Sequence, residues 1–414
     1  MKIEIIAIGD ELTSGRITNT TSSFAARKLF EAGFDIDAIH TIGDTPQIIG
    51  EALRLALSHA DAVIVTGGLG PTDDDLTTEA VSRALGRPAM VNQEILAAIR
   101  HHLQKLGEYG MAVEHLEKLA WLPSGAEALD PWGKMAGYLL VHDGKPIYFL
   151  PGVPGQMRRL LLDHVLPGLT AWGHGQPPAI HQRLFRIFGL QETEVNRRIA
   201  ALALPAGIKV GYYPTVADVQ LNLVVRSLPG MDGGAVFAAV TAQIEEALGD
   251  AVYGHDQESM AAIVGHLLLE QKRTLATAES CTGGMIGQWL TAIPGSSAWY
   301  LGGVISYANS VKEETLGVPA AILAAHGAVS AKVAKKMAEG TRRLCRADLA
   351  VAVTGIAGPD GGSAEKPVGT VYIGLADAED AKAERFLFHG NRQHIRETSA
   401  QTALNMVRKC LLAR

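Results

Sequence analysis

The stretch Thr274-Leu275-Ala276-Thr277-Ala278-Glu279-Ser280-Cys281-Thr282-Gly283-Gly284 passes from a short apolar run straight into small hydroxyls and glycines. Such a run, stopped by turn residues, reads as a buried strand over Thr274–Ala278, and the pattern after it as a helix over Thr282–Leu290. Alternation of this kind builds an α/β layer domain. The same periodicity reads as a helix from Ser259 to Glu270, a helix near Ser330–Cys345, strands Leu349–Thr354, Val368–Leu375 and Glu384–Phe388, and a closing helix to Leu412. The loops between them gather small hydroxyls: Pro294-Gly295-Ser296-Ser297, Ser306-Tyr307-Ala308-Asn309-Ser310-Val311-Lys312 and Thr354-Gly355-Ile356-Ala357-Gly358-Pro359.

Upstream, Lys2-Ile3-Glu4-Ile5-Ile6-Ala7-Ile8 is β-rich and ends at Gly9-Asp10-Glu11. A helix through Phe24–Phe30, strand Phe34–Ile42, helix Pro46–Ser58, strand Ala62–Thr66, strand Pro146–Leu150 and a helix near Pro154–Val165 continue the alternation. This succession predicts a parallel sheet with helices on both faces. Around Trp172–Ala179 the sequence turns to Gly, Pro, His and Gln, which reads as a linker. Beyond it, strand Leu184–Phe188, helix Glu192–Ala201, strands Lys209–Tyr213 and Val219–Arg226 and helix Ala235–Leu248 form a smaller α+β unit. Three domains follow: 1–170, 176–253 and 258–414.

With 414 residues the chain is long enough for two or three cores. A formal net charge of −6 excludes a general nucleic-acid or anionic-membrane binder. Three scattered cysteines, Cys281, Cys345 and Cys410, make neither a disulfide framework nor a zinc cluster. Glu4, Asp10 and Glu11 stand where a signal peptide needs an apolar core, and no apolar stretch reaches bilayer length, so the expected location is the cytoplasm.

Two groups of residues carry chemistry. In the last third, the N–H groups of the turn after Ala278 favour developing negative oxygen. The bland alternative is capping of the helix by Ser280 or Thr282, and Pro294–Ser297 reads equally as a plain turn. Lys312, preceded by Tyr307 and Asn309, becomes a base near neutral pH when desolvated beside hydroxyls; left on the surface it is an ordinary lysine. Fifteen residues separate Ser297 from Lys312, so only the fold can join them. Cys281 lacks a neighbouring histidine and reads as a packed thiol. In the first third, Gly67-Gly68-Leu69-Gly70-Pro71-Thr72-Asp73-Asp74-Asp75 follows strand Ala62–Thr66. Its glycines let a phosphate approach the backbone, and its aspartates offer ligands to a divalent ion, unless the acidic run only caps a helix. With Gly9-Asp10-Glu11 and Pro151-Gly152-Val153-Pro154, three loops are expected at the C-terminal edge of the strands, where open α/β sheets bind ligands.

AESCTGG, PGSS, YANSVK, HGAVS, TGIAGPDGG and KPVGTVYIG occur in the order found in CinA C-terminal domains, the nicotinamide-mononucleotide (NMN) deamidase family, which residues 258–414 therefore resemble. The resemblance implies Ser297 as nucleophile, Lys312 as its base, and Tyr307 and Ser280 as supporting polar groups. It implies Thr282, Gly283, Thr354, Gly355, Arg392 and Arg396 as substrate-binding positions, with no cofactor for the deamidation. GDE, TGGLGPTDDDLT and PGVP are similar to the molybdopterin-binding-like domain of CinA, which implies a doubly wound N-terminal sheet and metal-dependent ADP-ribose pyrophosphatase activity. There Gly68, Gly70, Pro151 and Gly152 would bind substrate, and Asp73, Asp74, Asp75, Asp10 and Glu11 would hold a divalent ion (Mg, Mn or Co). Thr21, the run Gly133–Gly137 and Gln156 depart from the usual pattern. The middle unit resembles a KH module but lacks a Gly-x-x-Gly clamp.

The expectation is an α/β protein with a molybdopterin-binding-like sheet, a small KH-like α+β connector and a layered CinA domain. It acts on small-molecule nucleotides (NMN, and ADP-ribose at the second site), without nucleic-acid or membrane partners, as a homodimer. The alternative from another class is a non-catalytic nucleotide- or pterin-binding regulatory protein.

Overall fold

The computed structural model describes residues 1–106, 116–132, 136–173, 177–205, 207–215 and 218–413. Part of the Trp172–Ala179 linker and residues 133–135 of the Gly133–Gly137 run lie outside the described residues. The chain divides into two compact units, residues 1–181 with 225–236, and residues 182–224 with 237–414.

The first unit holds a six-stranded sheet. Its strands are β1 (Lys2–Ile8), β2 (Asp35–Ile42), β3 (Ala62–Thr66), β6 (Glu127–Ala128), β7 (Tyr138–His142) and β8 (Lys145–Leu150), and the short β4 (Ala89–Val91) and β5 (Trp121–Pro123) pair apart from it. The order is β2-β1-β3-β8-β7-β6. Strand β1 alternates its burial between two cores. Ile3 and Ile5 pack with Ala25, Leu29, Met157 and Leu160 on one face. Ile6 and Ile8 pack with Ile49, Leu53 and Ala80 on the other. Both faces are covered, which is why the strand reads as almost continuously apolar.

The sheet is mixed rather than purely parallel. β2, β1, β3 and β8 are parallel, as the alternation predicts, but β7 runs antiparallel to β8 and β6 antiparallel to β7. The cause is local: Asp143 (φ 50°) and Gly144 (φ 74°) are both left-handed, and they join His142 to Lys145 as a two-residue hairpin.

Two further sheets follow along the chain. In the first, β9 (Ile180–Ile187), β10 (Ile208–Pro214), β11 (Val219–Arg226) and β12 (Val252–His255) are ordered β10-β11-β9-β12. Strand β12, unexpected from the sequence, is tied in by Tyr253, whose hydroxyl donates to Asp218 Oδ2 at 2.5 Å, while Arg186 Nε donates to the same carboxylate at 3.2 Å. In the second sheet, β13 (Leu275–Glu279), β14 (Tyr300–Ile305), β15 (Leu349–Gly355), β16 (Thr370–Ala376) and β17 (Ala381–Leu387) are ordered β14-β13-β15-β16-β17. β13 is parallel to β14 and β15, and the last two strands are antiparallel.

Side-chain size differs between the two faces of this sheet. Leu275, Val351, Val353, Val371 and Ile373 meet helices Met260–Glu270, Met285–Thr291 and Arg392–Leu412. Ala278, Ala352 and Ala376 meet Val333, Met337 and Ala338 of helix Ala331–Cys345. On that side the backbones themselves set the packing distance. A Cβ added at Gly374 of β16 would lie 2.3 Å from the Ala334 carbonyl oxygen of that helix, and one at Gly340 would lie 1.9 Å from the Leu316 carbonyl oxygen, in the turn after helix Asn309–Glu314. Gly340→Ala improves helix propensity by about 1 kcal/mol, yet the clash outweighs it. The expected outcome is a net loss of about 2 kcal/mol in urea or thermal unfolding; unchanged or raised stability would contradict this packing.

Candidate active site

Three strands of the C-terminal sheet deliver the site. Glu279 ends β13, Ile305 ends β14 and Gly355 ends β15, so the loops after them share one sheet edge. Ser280 begins the first loop, half-buried, with its N–H bound to the Val353 carbonyl at 2.9 Å. Lys312 lies on the short helix Asn309–Glu314 and is 1% exposed. Its Nζ donates to the Ser306 carbonyl at 2.6 Å and the Tyr307 carbonyl at 3.2 Å, and lies 3.4 Å from Ser280 Oγ. Burial lowers the Lys312 pKa from its ordinary value. Two carbonyls thus engage two N–H bonds, and the third direction at nitrogen faces the serine oxygen. When the amine is neutral, its lone pair occupies that direction and can take the Ser280 proton.

Ser297 is not in this pair, which corrects the expectation. It is exposed in the turn Ser296–Ala298 that precedes β14, beside the Leu275 end of β13, where Leu275 N–H bonds the Trp299 carbonyl. Lys312 reaches the opposite end, past Ile305. The intervening strand, at ~3.3 Å per residue, separates the two by roughly 16 Å within one chain. Parallel pairing of β13 and β14 fixes this separation, and sequence spacing alone could not reveal it.

The helix predicted from Thr282 begins instead at Met285, after a turn over Ser280–Gly284. The Glu279 carboxylate, 2% exposed, accepts the N–H groups of Gly284 (3.0 Å), Ile286 (3.1 Å) and Gly287 (2.9 Å). Neither Ser280 nor Thr282 caps this helix, and those three N–H groups are not open to a substrate. Among the described residues, the N–H groups of Cys281 and Thr282 have no backbone acceptor, and that of Cys281 meets its own sulfur. They directly follow Ser280, the position from which a backbone donor reaches an oxyanion formed at that serine.

The remaining predicted residues divide. Thr282 is fully buried and its hydroxyl lacks a partner. Arg396 donates to the carbonyls of Cys281 (3.2 Å) and Thr282 (2.8 Å), fixing the turn that also carries Gly283. Arg392 donates to the Gly358 carbonyl (2.6 Å) and to the hydroxyl of Tyr307 (3.3 Å), which is 63% exposed. Thr354 is a correction: it is buried and its hydroxyl donates to the Ala328 carbonyl at 2.9 Å, so it holds loops together. Gly355 packs tightly on Val371, where an added Cβ would lie 2.6 Å from the Val371 side chain. Glu279 and Ser306, whose buried hydroxyl has no partner, were missed; a lone Glu after a strand carries no signal of its own.

In the first unit, the loops after β1, β3 and β8 converge as expected. Gly67 N–H bonds the Leu150 carbonyl, and a Cβ on Gly152 would lie 3.5 Å from Gly67 Cα, next to Pro151. A cavity of about 1170 Å³ opens beside them, lined in part by Gly68, Gly70, Asp73, Asp75, Trp121 and Trp132. The acidic run is divided, with Asp75 turned to its own loop and Asp74 towards Asp44 and Asp10. Asp75 Oδ2 accepts from Thr72 N (3.1 Å) and Thr72 Oγ1 (2.6 Å), closing its own turn. Asp10 N–H bonds Asp44 Oδ2 at 2.8 Å, and Asp44 is raised above the usual carboxylate range by burial, then by the charges of Asp10, Glu11 and Asp74. Among the described residues no three His, Cys, Asp or Glu side chains form a group that holds a metal ion. Asp73, Asp74, Asp75, Asp10 and Glu11 thus form no ready-made group of three, although Asp10, Glu11 and Asp74 lie close enough for their charges to act on Asp44. No helix among the described residues is long and apolar enough to cross a membrane.

The fold and site define an α/β protein with a serine–lysine pair at one sheet edge. Its successive segments match the models of a probable molybdopterin binding domain (residues 4–171), the damage-inducible protein CinA KH domain (182–254) and the CinA C-terminal domain (257–411). A CinA-like protein of Desulfotalea psychrophila is 52% identical over 412 residues, covering 100% of this chain and 99% of that protein. One of Syntrophus aciditrophicus is 41% identical over 416 residues, with 100% and 99% covered. The solved competence/damage inducible protein CihA of Agrobacterium tumefaciens is 41% identical, covering 37% of this chain and 93% of its own, with a TM-score of 0.36. The chain belongs to the CinA family.

Burial pushes the Cys281 thiol up to about 12. Near pH 8 only about one molecule in ten thousand then carries its thiolate. Iodoacetamide should modify Cys410 in the folded protein while leaving Cys281 untouched, as read by peptide mass spectrometry. Rapid alkylation of Cys281 would reopen it as a nucleophile.

Proposed function

We propose that the C-terminal domain is an amidase that converts NMN to nicotinate mononucleotide and ammonia, with Ser280 as nucleophile and Lys312 as base. The observation that carries this reading is the 3.4 Å approach of Ser280 Oγ to a buried Lys312 amine. Ser280 Oγ attacks the carboxamide carbon and its proton passes to Lys312. The N–H groups of Cys281 and Thr282 receive the oxyanion, at roughly 3 kcal/mol per donor. Lys312 returns the proton to the departing nitrogen, which leaves as ammonia. Water, relieved of a proton by the same amine, then cleaves the acyl ester and restores Ser280. Arg392, at the site's rim beside Tyr307, is the proposed partner of the substrate phosphate, a choice supported by the commitment of Arg396 to the turn.

The test is ammonia release from NMN by the whole chain. Ser280→Ala should lower kcat by at least ~1000-fold with the fold intact, while Ser297→Ala keeps kcat near wild type. The opposite ranking would remove Ser280 from the mechanism.

The pH dependence has a definite sign. Because burial lowers the Lys312 pKa, the neutral amine accumulates at a pH below that of a free lysine. Activity should rise with pH through that lowered value. Between it and the ordinary lysine pKa the unfolded chain binds more protons, so stability should rise with pH over the same window. A pH–kcat profile with no ascending limb anywhere below the ordinary lysine pKa would exclude Lys312 as the base.

A second reading concerns the N-terminal domain, where the cavity beside Gly68 and Gly70, with Trp121 and Trp132 in its wall, favours binding of a nucleotide such as ADP-ribose. We derive no metal-dependent step there. Tryptophan quenching by ADP-ribose that is the same with and without a chelator is the expected result.

A further inference from the structure

We propose that Glu279 is a positioning residue for the Ser280–Lys312 pair, an inference that rests on the amidase reading above. Glu279 is a buried acid that no step of the reaction uses, yet it is bonded to both halves of the site. Its side chain wraps the Ser280–Gly284 turn by accepting three N–H groups, two on Oε2 and one on Oε1. Bonds to a carboxylate are stronger than neutral ones, and here they fix where the turn leaves the strand. Its own carbonyl accepts the Ser306 N–H at 2.8 Å, and Ser306 supplies the carbonyl that holds Lys312 Nζ at 2.6 Å. One residue thus locates the serine through its side chain and the lysine through its backbone. By occupying the N–H groups of Gly284, Ile286 and Gly287, the carboxylate also withdraws them from any oxyanion formed at Ser280.

Substitution at Glu279 should displace Ser280 Oγ from the amine without touching Arg392 or the Lys312 titration. Misplacement of a reacting atom by about 1 Å costs on the order of 100-fold in rate. Glu279→Gln keeps the shape and one acceptor oxygen but turns an NH2 group towards backbone donors. Glu279→Ala removes the anchor altogether. In the full-length protein, kcat on NMN should fall about 10-fold in Glu279→Gln and about 100-fold in Glu279→Ala. KM should stay within about twofold, and the midpoint of the pH–kcat profile should not move.

Either variant keeping wild-type kcat while folded would overturn the proposal. So would a kcat loss that matches only the unfolded fraction, or loss of fold in both variants, since either makes Glu279 a stability residue alone. A second readout separates this inference from the amidase reading. A fluorophosphonate labels an activated serine: Ser280 Oγ bonds phosphorus, fluoride leaves, and the proton goes to Lys312. If the wild type releases no ammonia from NMN, the amidase reading fails. Slower Ser280 labelling in the folded Glu279 variants would still support the positioning role, and equal labelling would overturn it.

Discussion

The C-terminal site depends on a primary amine kept out of water with two carbonyl oxygens as its fixed company. Burial makes the charged form of Lys312 costly, and the Ser306 and Tyr307 carbonyls decide where its protons point. Without burial the amine would stay an ammonium near neutral pH. Without the carbonyls its third direction would not be aimed at Ser280. The sheet edge exists to hold these two conditions together: strand β13 presents the serine, strand β14 presents the carbonyls, and their parallel pairing keeps both at one end.

That pairing also explains which parts of the site were legible in the sequence. Runs such as Ala62–Thr66 and Leu349–Thr354 announce strands because both faces of each are buried, and glycine-rich ends show where each chain crossing stops. The gathering of Ser280, Tyr307 and Lys312 followed from loops that all leave the same edge. Ser297 misled because it too is a small hydroxyl beside glycine in a turn, but its turn enters strand β14 instead of leaving it. Which end of a strand a loop occupies relative to its neighbours is a property of pairing, and no local pattern records it. Thr354 misled for a related reason: its hydroxyl is spent on the Ala328 carbonyl, a partner in a different loop.

Other gaps have equally concrete origins. The antiparallel strand Tyr138–His142 was hidden because Asp143-Gly144 is a hairpin signal only when both flanking runs are already known to be strands. The acidic run Asp73–Asp75 looked like a cation cradle on composition, while Asp75 is spent on its own turn and Asp44, far away in sequence, joins Asp10. Acidic residues adjacent in a chain point in different directions once a turn is fixed. The change from buried alternation to the linker near Trp172 and back suggested three segments, whereas by contact the chain divides into two compact units.

The unequal faces of the C-terminal sheet have a consequence for how this domain tolerates change. On the side of Leu275, Val351 and Ile373, long side chains fill the interlayer space, and neighbouring rotamers can adjust to a gained or lost methyl. On the side of Ala278, Ala352 and Ala376, the helix Ala331–Cys345 rides on main chain, so there is no soft material to absorb an intrusion. Volume changes can therefore be accommodated in one layer, whereas the other behaves as a rigid rail against which the edge carrying Ser280 and Lys312 keeps its alignment.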